Sequence, residues 1–247
     1  MGELNVRFLG SGDAFGSGGR FQACIYVRSE AAGFLIDCGA SSLIAMRRFG
    51  VNPSLVDSIL LTHLHGDHFG GLPFFLLEAQ LISRRTRPLV VAGPPGLATR
   101  IREAMEVLFP GSSRTQQKFT TEFVELCDQT PTALGSLLVT PYSVIHPSGA
   151  PAYALRIECG GKVIAYSGDT EWTDSLIQAA QGADLFICEA YFFEKRIKYH
   201  LDYQTVMEHR RELGCRRLIL THMNDDMLGR LQGTDTECAE DGKRIVL

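Results

Sequence analysis

Residues 58–68 read SILLTHLHGDH and join a short apolar run to three histidines and a carboxylate. The apolar residues at the start predict a buried strand, and the polar residues begin where that strand ends. Alternate side chains of an extended chain point to the same side, so His63 and His65 are expected to face one common position. The stretch therefore predicts a strand that presents clustered polar side chains at its carboxyl end.

The second half of the same stretch adds two more candidate ligands. Gly66 is expected to let the chain turn, so that Asp67 and His68 face a second position near the first. Imidazole and carboxylate are ligands that zinc, manganese and iron share. Without a metal, packing them together would carry a large desolvation cost. The stretch thus predicts a metal centre, with zinc as the default ion and manganese or iron as alternatives.

Three further candidate ligands, His146, Asp169 and His222, each follow a predicted strand. Loops after strands are where rigid scaffolds commonly present functional groups. Taken singly, each of the three has an ordinary structural explanation. Together with the first cluster they indicate a site for two divalent metal ions.

Strands and helices are expected to alternate along the chain. Predicted strands cover 5–9, 23–28, 33–37, 58–62, 119–126, 137–145, 152–159, 162–167, 184–189 and 217–221. Predicted helices cover 41–49, 71–83, 95–108, 173–181, 203–213 and 225–231. Because strands in both halves are followed by helices, we expect two sheets packed face to face with helices outside, in one domain spanning 1–247.

Composition excludes several classes of protein. The 247 residues are 45% hydrophobic and 21% charged, which excludes a disordered or fibrous chain. The net charge of −4 argues against nucleic-acid binding over the whole surface, although a local basic groove stays open. Seven cysteines without a C-x-x-C pair favour free thiols in a reducing compartment. With no signal peptide or membrane span in the sequence, we expect a cytoplasmic protein that has no membrane contact.

These residues make the chain resemble the metallo-β-lactamase superfamily. The H-x-H-x-D-H motif of that family is intact from His63 to His68, and its later motifs match the three strand-end candidates. The resemblance implies an α/β fold, an αββα sandwich of two mixed β-sheets with helices on the outer faces. It also implies which residues hold the metals. The first metal would be held by His63, His65 and His146, the second by Asp67, His68 and His222, with Asp169 as the bridge.

The types of the candidate ligands indicate which branch of the superfamily the chain resembles. His65 stands where the diiron flavoproteins of this fold have a carboxylate, and Asp169 stands where zinc β-lactamases have a cysteine. Residues 8–14 (FLGSGDA), 34–39 (FLIDCG) and 184–190 (DLFICEA), followed by His200, are similar to the ribonuclease Z and phosphodiesterase branch. In ribonuclease Z, the histidine that matches His200 assists the leaving group as a general acid. The alternative is that His200 is an exposed polar residue among Lys195, Arg196, Lys198 and Tyr199.

One departure from ribonuclease Z concerns the substrate. The enzymes that process transfer RNA carry a long arm between the ligands matching His146 and Asp169. Here only positions 147–168 separate them, and residues 152–167 among these are expected to form two strands joined at residues 160–161. Without room for the arm, a smaller phosphodiester is favoured, such as a small nucleotide or RNA.

The sequence therefore predicts a dinuclear metal-dependent hydrolase, a phosphodiesterase that uses a metal-bridging hydroxide. Asp67 would orient or deprotonate the attacking water and His200 would donate a proton to the leaving group. One alternative is a thioester or carboxylic-ester hydrolase of the glyoxalase II-like type, and another is a non-catalytic metal-binding module.

Two weaker features complete the set of expectations. Asp37, at the end of a predicted strand, is either a carboxylate that orients a ligand histidine or a turn residue. The apolar segment 72–77 is either a homodimer surface or part of the core.

Overall fold

Two mixed β-sheets of seven strands each pack face to face, with helices on their outer faces, in a computed structural model of the chain. This confirms the predicted αββα sandwich. The structure describes residues 3–247, so the first two residues of the predicted domain lie outside it.

The first sheet has the strand order β14-β1-β2-β3-β4-β5-β6. Its strands are β1 (Asn5–Gly10), β2 (Cys24–Arg28), β3 (Gly33–Ile36), β4 (Ser58–Leu60), β5 (Leu89–Gly93), β6 (Thr121–Glu125) and β14 (Arg244–Val246). The pairs from β14 to β3 are antiparallel, and those from β3 to β6 are parallel. As a result β1, β3 and β4 all end at the same edge of the sheet.

The second sheet has the strand order β13-β12-β11-β10-β9-β8-β7. Its strands are β7 (Thr132–Leu134), β8 (Leu137–Val144), β9 (Ala152–Cys159), β10 (Lys162–Tyr166), β11 (Leu185–Glu189), β12 (Leu218–Thr221) and β13 (Glu237–Cys238). Pairs from β7 to β10 are antiparallel, and those from β10 to β13 are parallel. The direction of β8 therefore matches that of β10, β11 and β12, and their carboxyl ends share one edge.

Helices cover the outer face of each sheet. They are α1 (Ser42–Arg48), α2 (Gly66–Phe69), α3 (Leu72–Leu81), α4 (Leu97–Leu108), α5 (Ser175–Ala180), α6 (Tyr203–Glu208) and α7 (Asp225–Leu228). Helix α4 shows why these segments pack as they do, since Leu97, Ile101 and Met105 lie on one face and are buried against the first sheet. None of the helices in the part of the chain that the structure describes is long and apolar enough to cross a membrane.

Strand β11 explains the continuous apolar runs in the sequence. Leu185 and Ile187 face the core between the two sheets, whereas Phe186 and Cys188 face the helices outside. Because side chains alternate along a strand, a strand covered on both faces needs apolar residues at every position.

Some elements differ from the sequence prediction. Strands β5, β7, β13 and β14 were not predicted, although the run LVVAG of β5 has ordinary strand composition. The last strand, β14, has only three residues, too few to show a period, and it returns to pair with β1. The helix predicted over 203–213 ends at Glu208, and the ring of the next residue, His209, stacks on Trp172 at a centroid distance of 3.8 Å.

The apolar segment 72–77 lies mostly in the core. Leu72, Pro73, Phe75 and Leu76 are buried, while Phe74 is 39% exposed and packs edge-on against Phe109. Residues 147–168 hold the β9–β10 hairpin, whose strands are joined at the glycine pair 160–161 as predicted.

Candidate metal centre

All seven predicted metal ligands lie at the edge where the two sheets present the carboxyl ends of their strands. His63 and His65 follow β4, Asp67 and His68 begin the short helix α2, and His146, Asp169 and His222 follow β8, β10 and β12. The scaffold thus brings together side chains that are up to 159 positions apart, from His63 to His222. Parallel strand ends explain the convergence, because they open on one crevice.

Three of the histidines form a first group. His63, His65 and His146 each offer a ring nitrogen, and these nitrogens lie within 4.8 Å of one another. Nδ1 of His65 is 3.0 Å from Nε2 of His146. Three imidazole nitrogens at such separations form a donor set suited to one transition-metal ion.

A second group lies beside the first. It contains Asp67, His68, Asp169 and His222, whose donor atoms also lie within 4.8 Å of one another. Nε2 of His68 is 3.3 Å from Oδ2 of Asp67 and 3.4 Å from Nε2 of His222.

Asp169 lies between the two groups. Its Oδ2 is 3.9 Å from Nε2 of His63 and 4.0 Å from Nε2 of His146, both in the first group. The same oxygen is 3.5 Å from Nε2 of His222, and Oδ1 is 3.3 Å from Nε2 of His68. One carboxylate therefore reaches both groups, which is the geometry expected of a bridging ligand.

Contacts at Nδ1 orient three of the histidine rings, on the side away from the cluster. Nδ1 of His146 donates to the carbonyl oxygen of Tyr199 at 2.9 Å. Nδ1 of His68 donates to Oδ2 of Asp37 at 2.7 Å, and Nδ1 of His63 lies 3.0 Å from the hydroxyl of Thr62. A neutral imidazole that donates from Nδ1 keeps its lone pair on Nε2, so all three rings direct a lone pair into the cluster.

Asp37 and Thr62 form the support beneath these rings. The Thr62 hydroxyl donates to the Asp37 carboxylate, at 2.9 Å from Oδ2, and is therefore free to accept from His63. Asp37 is fully buried and has a φ of 58°, a backbone conformation that Asp tolerates better than most residues. Of the two explanations open for Asp37 from sequence, the contact with His68 favours the ligand-orienting one.

Buried polar atoms in the cluster fit a cation. Among the described residues 3–247, Nε2 of His63, Oδ1 of Asp169 and Nδ1 of His222 are buried and have no hydrogen-bond partner. The 3.3 Å approach of His68 to Asp169 Oδ1 lacks hydrogen-bond geometry. Leaving such groups unpaired is costly, and a bound metal would satisfy the first two of them.

The electrostatics of the two groups differ. Burial, together with the charge of His68, holds the pKa of His63 well below its usual range, and burial lowers the pKa of His146. Burial would also lower the pKa of His222, but the charge of Asp169 and the hydrogen bond to Asp67 raise it to about 9. The carboxylates therefore favour positive charge at the second group, and a metal cation would supply that charge by displacing protons.

Gly66 lacks the role expected of it, whereas Gly39 has one that was not expected. Gly66 starts α2 with an ordinary φ and open space where a Cβ would stand, so the turn before Asp67 does not depend on glycine. At Gly39, by contrast, a Cβ would lie 2.2 Å from the carbonyl oxygen of Asp67. The close approach that positions Asp67 depends on Gly39, and the sequence alone does not reveal this.

His200 lies beside the cluster rather than in solvent. Its Nδ1 is 3.0 Å from Oε2 of Glu189 and 4.0 Å from Oδ2 of Asp169, and 21% of its side chain is exposed. Burial alone would lower its pKa, but the hydrogen bond and charge of Glu189 raise it above the usual value. Glu189, which the sequence did not identify as a site residue, is fully buried at the end of β11, and it also accepts from the backbone of Thr170.

Two cavities open at this edge. The first, of about 210 Å³, is lined by Ala14, Phe15, His65, Asp67, His146, Asp169, Tyr191, His200 and His222. The second, of about 310 Å³, shares His200 with the first and includes Trp172 and Arg196 in its lining. Tyr191, also missed from sequence, has its ring 4.8 Å from that of His200.

Residues 4–239 match the family model described as anti-Pycsar protein Apyc1. The chain is also 26% identical over 276 residues to a ribonuclease Z of Lachnoclostridium phytofermentans, which covers 91% of this chain and 88% of that protein. Its fold is similar to the crystal structure of the human short-form tRNase Z, ELAC1, with a TM-score of 0.79, 26% identity and 98% of each chain covered. The metallo-β-lactamase fold protein YhfI from Bacillus subtilis is similar in fold with the same TM-score, 22% identity, and 99% of this chain and 100% of that one covered.

Proposed function

The chain belongs to the family of the anti-Pycsar protein Apyc1, in the ribonuclease Z and phosphodiesterase branch of the metallo-β-lactamase superfamily, and we propose that it hydrolyses a small phosphodiester. It is a metal-dependent hydrolase acting on phosphodiester bonds. The reaction would use two metal ions together with Asp67 and His200, and its substrate would be small.

Seven side chains would hold the metals. His63, His65 and His146 would bind one ion, Asp67, His68 and His222 the other, and Asp169 both. The donor set, five imidazoles and two carboxylates, favours zinc and also suits manganese or iron. When bound, two divalent cations would lower the pKa of a water and offset the negative charge that develops on a phosphodiester.

His200 would donate the proton that the leaving group needs. The departing alkoxide of a phosphodiester is a strong base, and a protonated imidazole within reach makes it a better leaving group. The 3.0 Å contact with Glu189 stabilises the protonated ring and fixes its orientation toward the cluster. This pair beside the seven donors is the observation that carries the proposal, because a merely structural metal site has no use for a proton donor.

Asp67 would act on the attacking water. Its carboxylate lies 3.3 Å from both His68 and His222 and also lines the first cavity, so it reaches the cluster and the space for substrate together. Burial would raise the pKa of Asp67, but the charge of His68 and the hydrogen bonds from His222 and His68 hold it well below its usual range. An ionised carboxylate in this position can orient the water by accepting a hydrogen bond from it.

The substrate would be small. The β9–β10 hairpin fills positions 147–168, where ribonuclease Z enzymes with a transfer-RNA arm carry that arm. The first cavity of about 210 Å³ takes a phosphate and little more, since pockets that enclose a drug-sized molecule start at ~300 Å³. A small nucleotide or a short RNA, with its phosphate in the cavity and the remainder at the rim, fits these limits.

Hydrolysis of an activated aryl phosphodiester by protein loaded with zinc or manganese tests the proposal. We expect turnover that a chelator abolishes and that added metal restores, and a thioester of the glyoxalase II type should be a poor substrate. Thioester turnover without diester turnover would contradict the proposal.

A further inference from the structure

Phe15 stands out among the residues that line the first cavity. It has 84% of its surface exposed, although it belongs to the wall of the cavity that holds Asp67, His146 and Asp169. A single exposed aromatic residue needs no explanation elsewhere on a surface. At the mouth of a catalytic cavity, however, the ring is available to whatever enters.

The backbone on both sides of Phe15 is held in place by Asp13. This carboxylate is fully buried and accepts hydrogen bonds from the loop that carries Phe15. Oδ1 accepts from the backbone N–H of Phe15 at 3.1 Å and of Ser17 at 3.0 Å, and Oδ2 accepts from the Ser17 hydroxyl at 2.7 Å.

Further contacts tie the loop to the rest of the protein. The N–H of Gly18 donates to Asp225 at 3.0 Å, and the side chain of Gln22 donates to the carbonyl of Ala14 at 3.3 Å. The loop therefore keeps the Phe15 ring in solvent at the cavity mouth instead of letting it fold onto the core. Because the backbone is already held, only the side chain of Phe15 loses conformational entropy when a ligand stacks on its ring.

The chemistry of the ring selects the ligand. Phe15 offers a flat apolar face with no hydrogen-bonding group, so it can bind a planar aromatic group but cannot read its edges. Nucleic-acid proteins use such residues to stack bases without sequence preference. Given the proposed phosphodiesterase function, on which this inference rests, we propose that Phe15 stacks against the base of a nucleotide substrate whose phosphate lies on the metal cluster.

The positions of the two cavities assign the base to one side of the phosphate. His200, the proton donor for the leaving group, lines both cavities, whereas Phe15 lines only the first. The leaving group therefore extends toward the second cavity, beside Trp172, and the base on Phe15 belongs to the nucleoside that stays attached to phosphorus.

A matched pair of substrates isolates the base. Thymidine 5′-(4-nitrophenyl phosphate) carries the base on the retained nucleoside, and its abasic analogue has the same sugar, phosphate and leaving group but hydrogen in place of the base. For Phe15→Ala and Phe15→Leu we expect kcat/KM on the thymidine ester to fall ~10-fold or more, mainly through KM, while the abasic ester changes by less than about twofold. Phe15→Trp should retain the wild-type preference for the base.

Ile82→Ala is the control, because Ile82 is also exposed, at 69%, and does not line either cavity. Equal losses on both esters, or no loss on either, would overturn the role of Phe15 even if the enzyme is a phosphodiesterase.

If the wild-type protein hydrolyses neither ester, the proposed function is contradicted. A binding measurement can then still test whether Phe15 stacks on a base. The Phe15→Trp protein has a tryptophan at the cavity mouth, and its fluorescence is titrated with thymidine 5′-monophosphate and with the abasic phosphate. The wild-type protein, whose single tryptophan is Trp172, gives the background. Quenching by the base-carrying phosphate alone supports stacking at position 15, and equal responses to the two phosphates overturn it.

Discussion

Nδ1 of His200 lies 3.0 Å from Oε2 of Glu189, a carboxylate that is fully buried at the end of β11. The contact joins a ring at the rim of the cavity to a charge that water cannot reach. The proposed proton donor His200 thus has a partner outside the predicted set of metal ligands, so the two proposed roles can be tested independently.

His200→Ala should slow the enzyme in proportion to the basicity of the leaving group. With an alkyl leaving group, which needs a proton, we expect kcat to fall ~10²–10⁴-fold. With 4-nitrophenolate, a stable anion, the fall should be much smaller. The measurement is a series of diesters with leaving groups of increasing pKa, and bound metal is quantified in the same samples. Equal losses along the series would exclude a proton-donor role.

His209→Ala is the matched histidine control for that experiment. It neither belongs to the seven candidate ligands nor lines either cavity, and it stacks on Trp172 and contacts Glu212 at 3.0 Å. Its loss should leave the leaving-group dependence as in wild type.

Glu189→Gln should also slow the hydrolysis of diesters with basic leaving groups, although it keeps the imidazole of His200. The amide cannot balance the charge of a protonated His200, so with an alkyl leaving group we expect kcat to fall ~10-fold, less than the ~10²–10⁴-fold expected for His200→Ala. Glu189 would act only by positioning His200, so the double variant with His200→Ala should be no slower than His200→Ala alone. Additive losses in this cycle would show that Glu189 has a separate role.

Asp67→Ala should abolish turnover and leave a folded protein. The carboxylate is a predicted ligand and the group that would orient the attacking water, whereas the apolar cluster that contains the neighbouring Leu64 and Phe69 does not depend on its charge. We expect bound metal below the wild-type content, with an unchanged far-ultraviolet circular dichroism spectrum. Activity at the wild-type level would show that the assignment of Asp67 is wrong.

Asp37→Asn should weaken metal binding through His68. The amide keeps the shape of the side chain but loses the charge that the His68 Nδ1–H contacts at 2.7 Å. Removing such a partner of a ligand histidine commonly costs ~10–100-fold in metal affinity. Competition with a chromophoric chelator measures the affinity, and circular dichroism checks the fold. Wild-type metal affinity would mean that Asp37 does not support His68 and acts only through its hydrogen bonds to Thr62.

Gly39→Ala and Gly66→Ala should have opposite outcomes. A Cβ on Gly39 meets the carbonyl oxygen of Asp67 at 2.2 Å, so we expect a loss of roughly 1–3 kcal/mol in unfolding free energy, together with weaker metal binding. A Cβ on Gly66 meets nothing within 4 Å, so its variant should remain within about 0.5 kcal/mol of wild type. Urea unfolding measures the stability of both variants, and equal stabilities would contradict the different roles assigned to Gly39 and Gly66.

The amino-acid sequence by itself determined the fold class and the candidate ligand set. Strand runs such as residues 184–190 and the helix face of Leu97, Ile101 and Met105 are local patterns, because secondary structure imposes its own period on the residues that it buries. The candidate ligands follow from the same logic, since each comes directly after such a run or begins the short helix beyond it. The roles of those ligands toward a metal stay predictions.

Only the tertiary structure decided which side chains serve the ligands. The sequence left two explanations open for Asp37, and its contact with His68, 31 positions away, favours one of them. The hydrogen bond from the backbone of Phe15 to Asp13 was not predicted from the sequence. Gly39 rather than Gly66 allows the close approach to Asp67. Contacts of this kind depend on how separate strand ends pack against one another, and that packing is a property of the whole folded chain, whereas sequence periodicity reports only on neighbours.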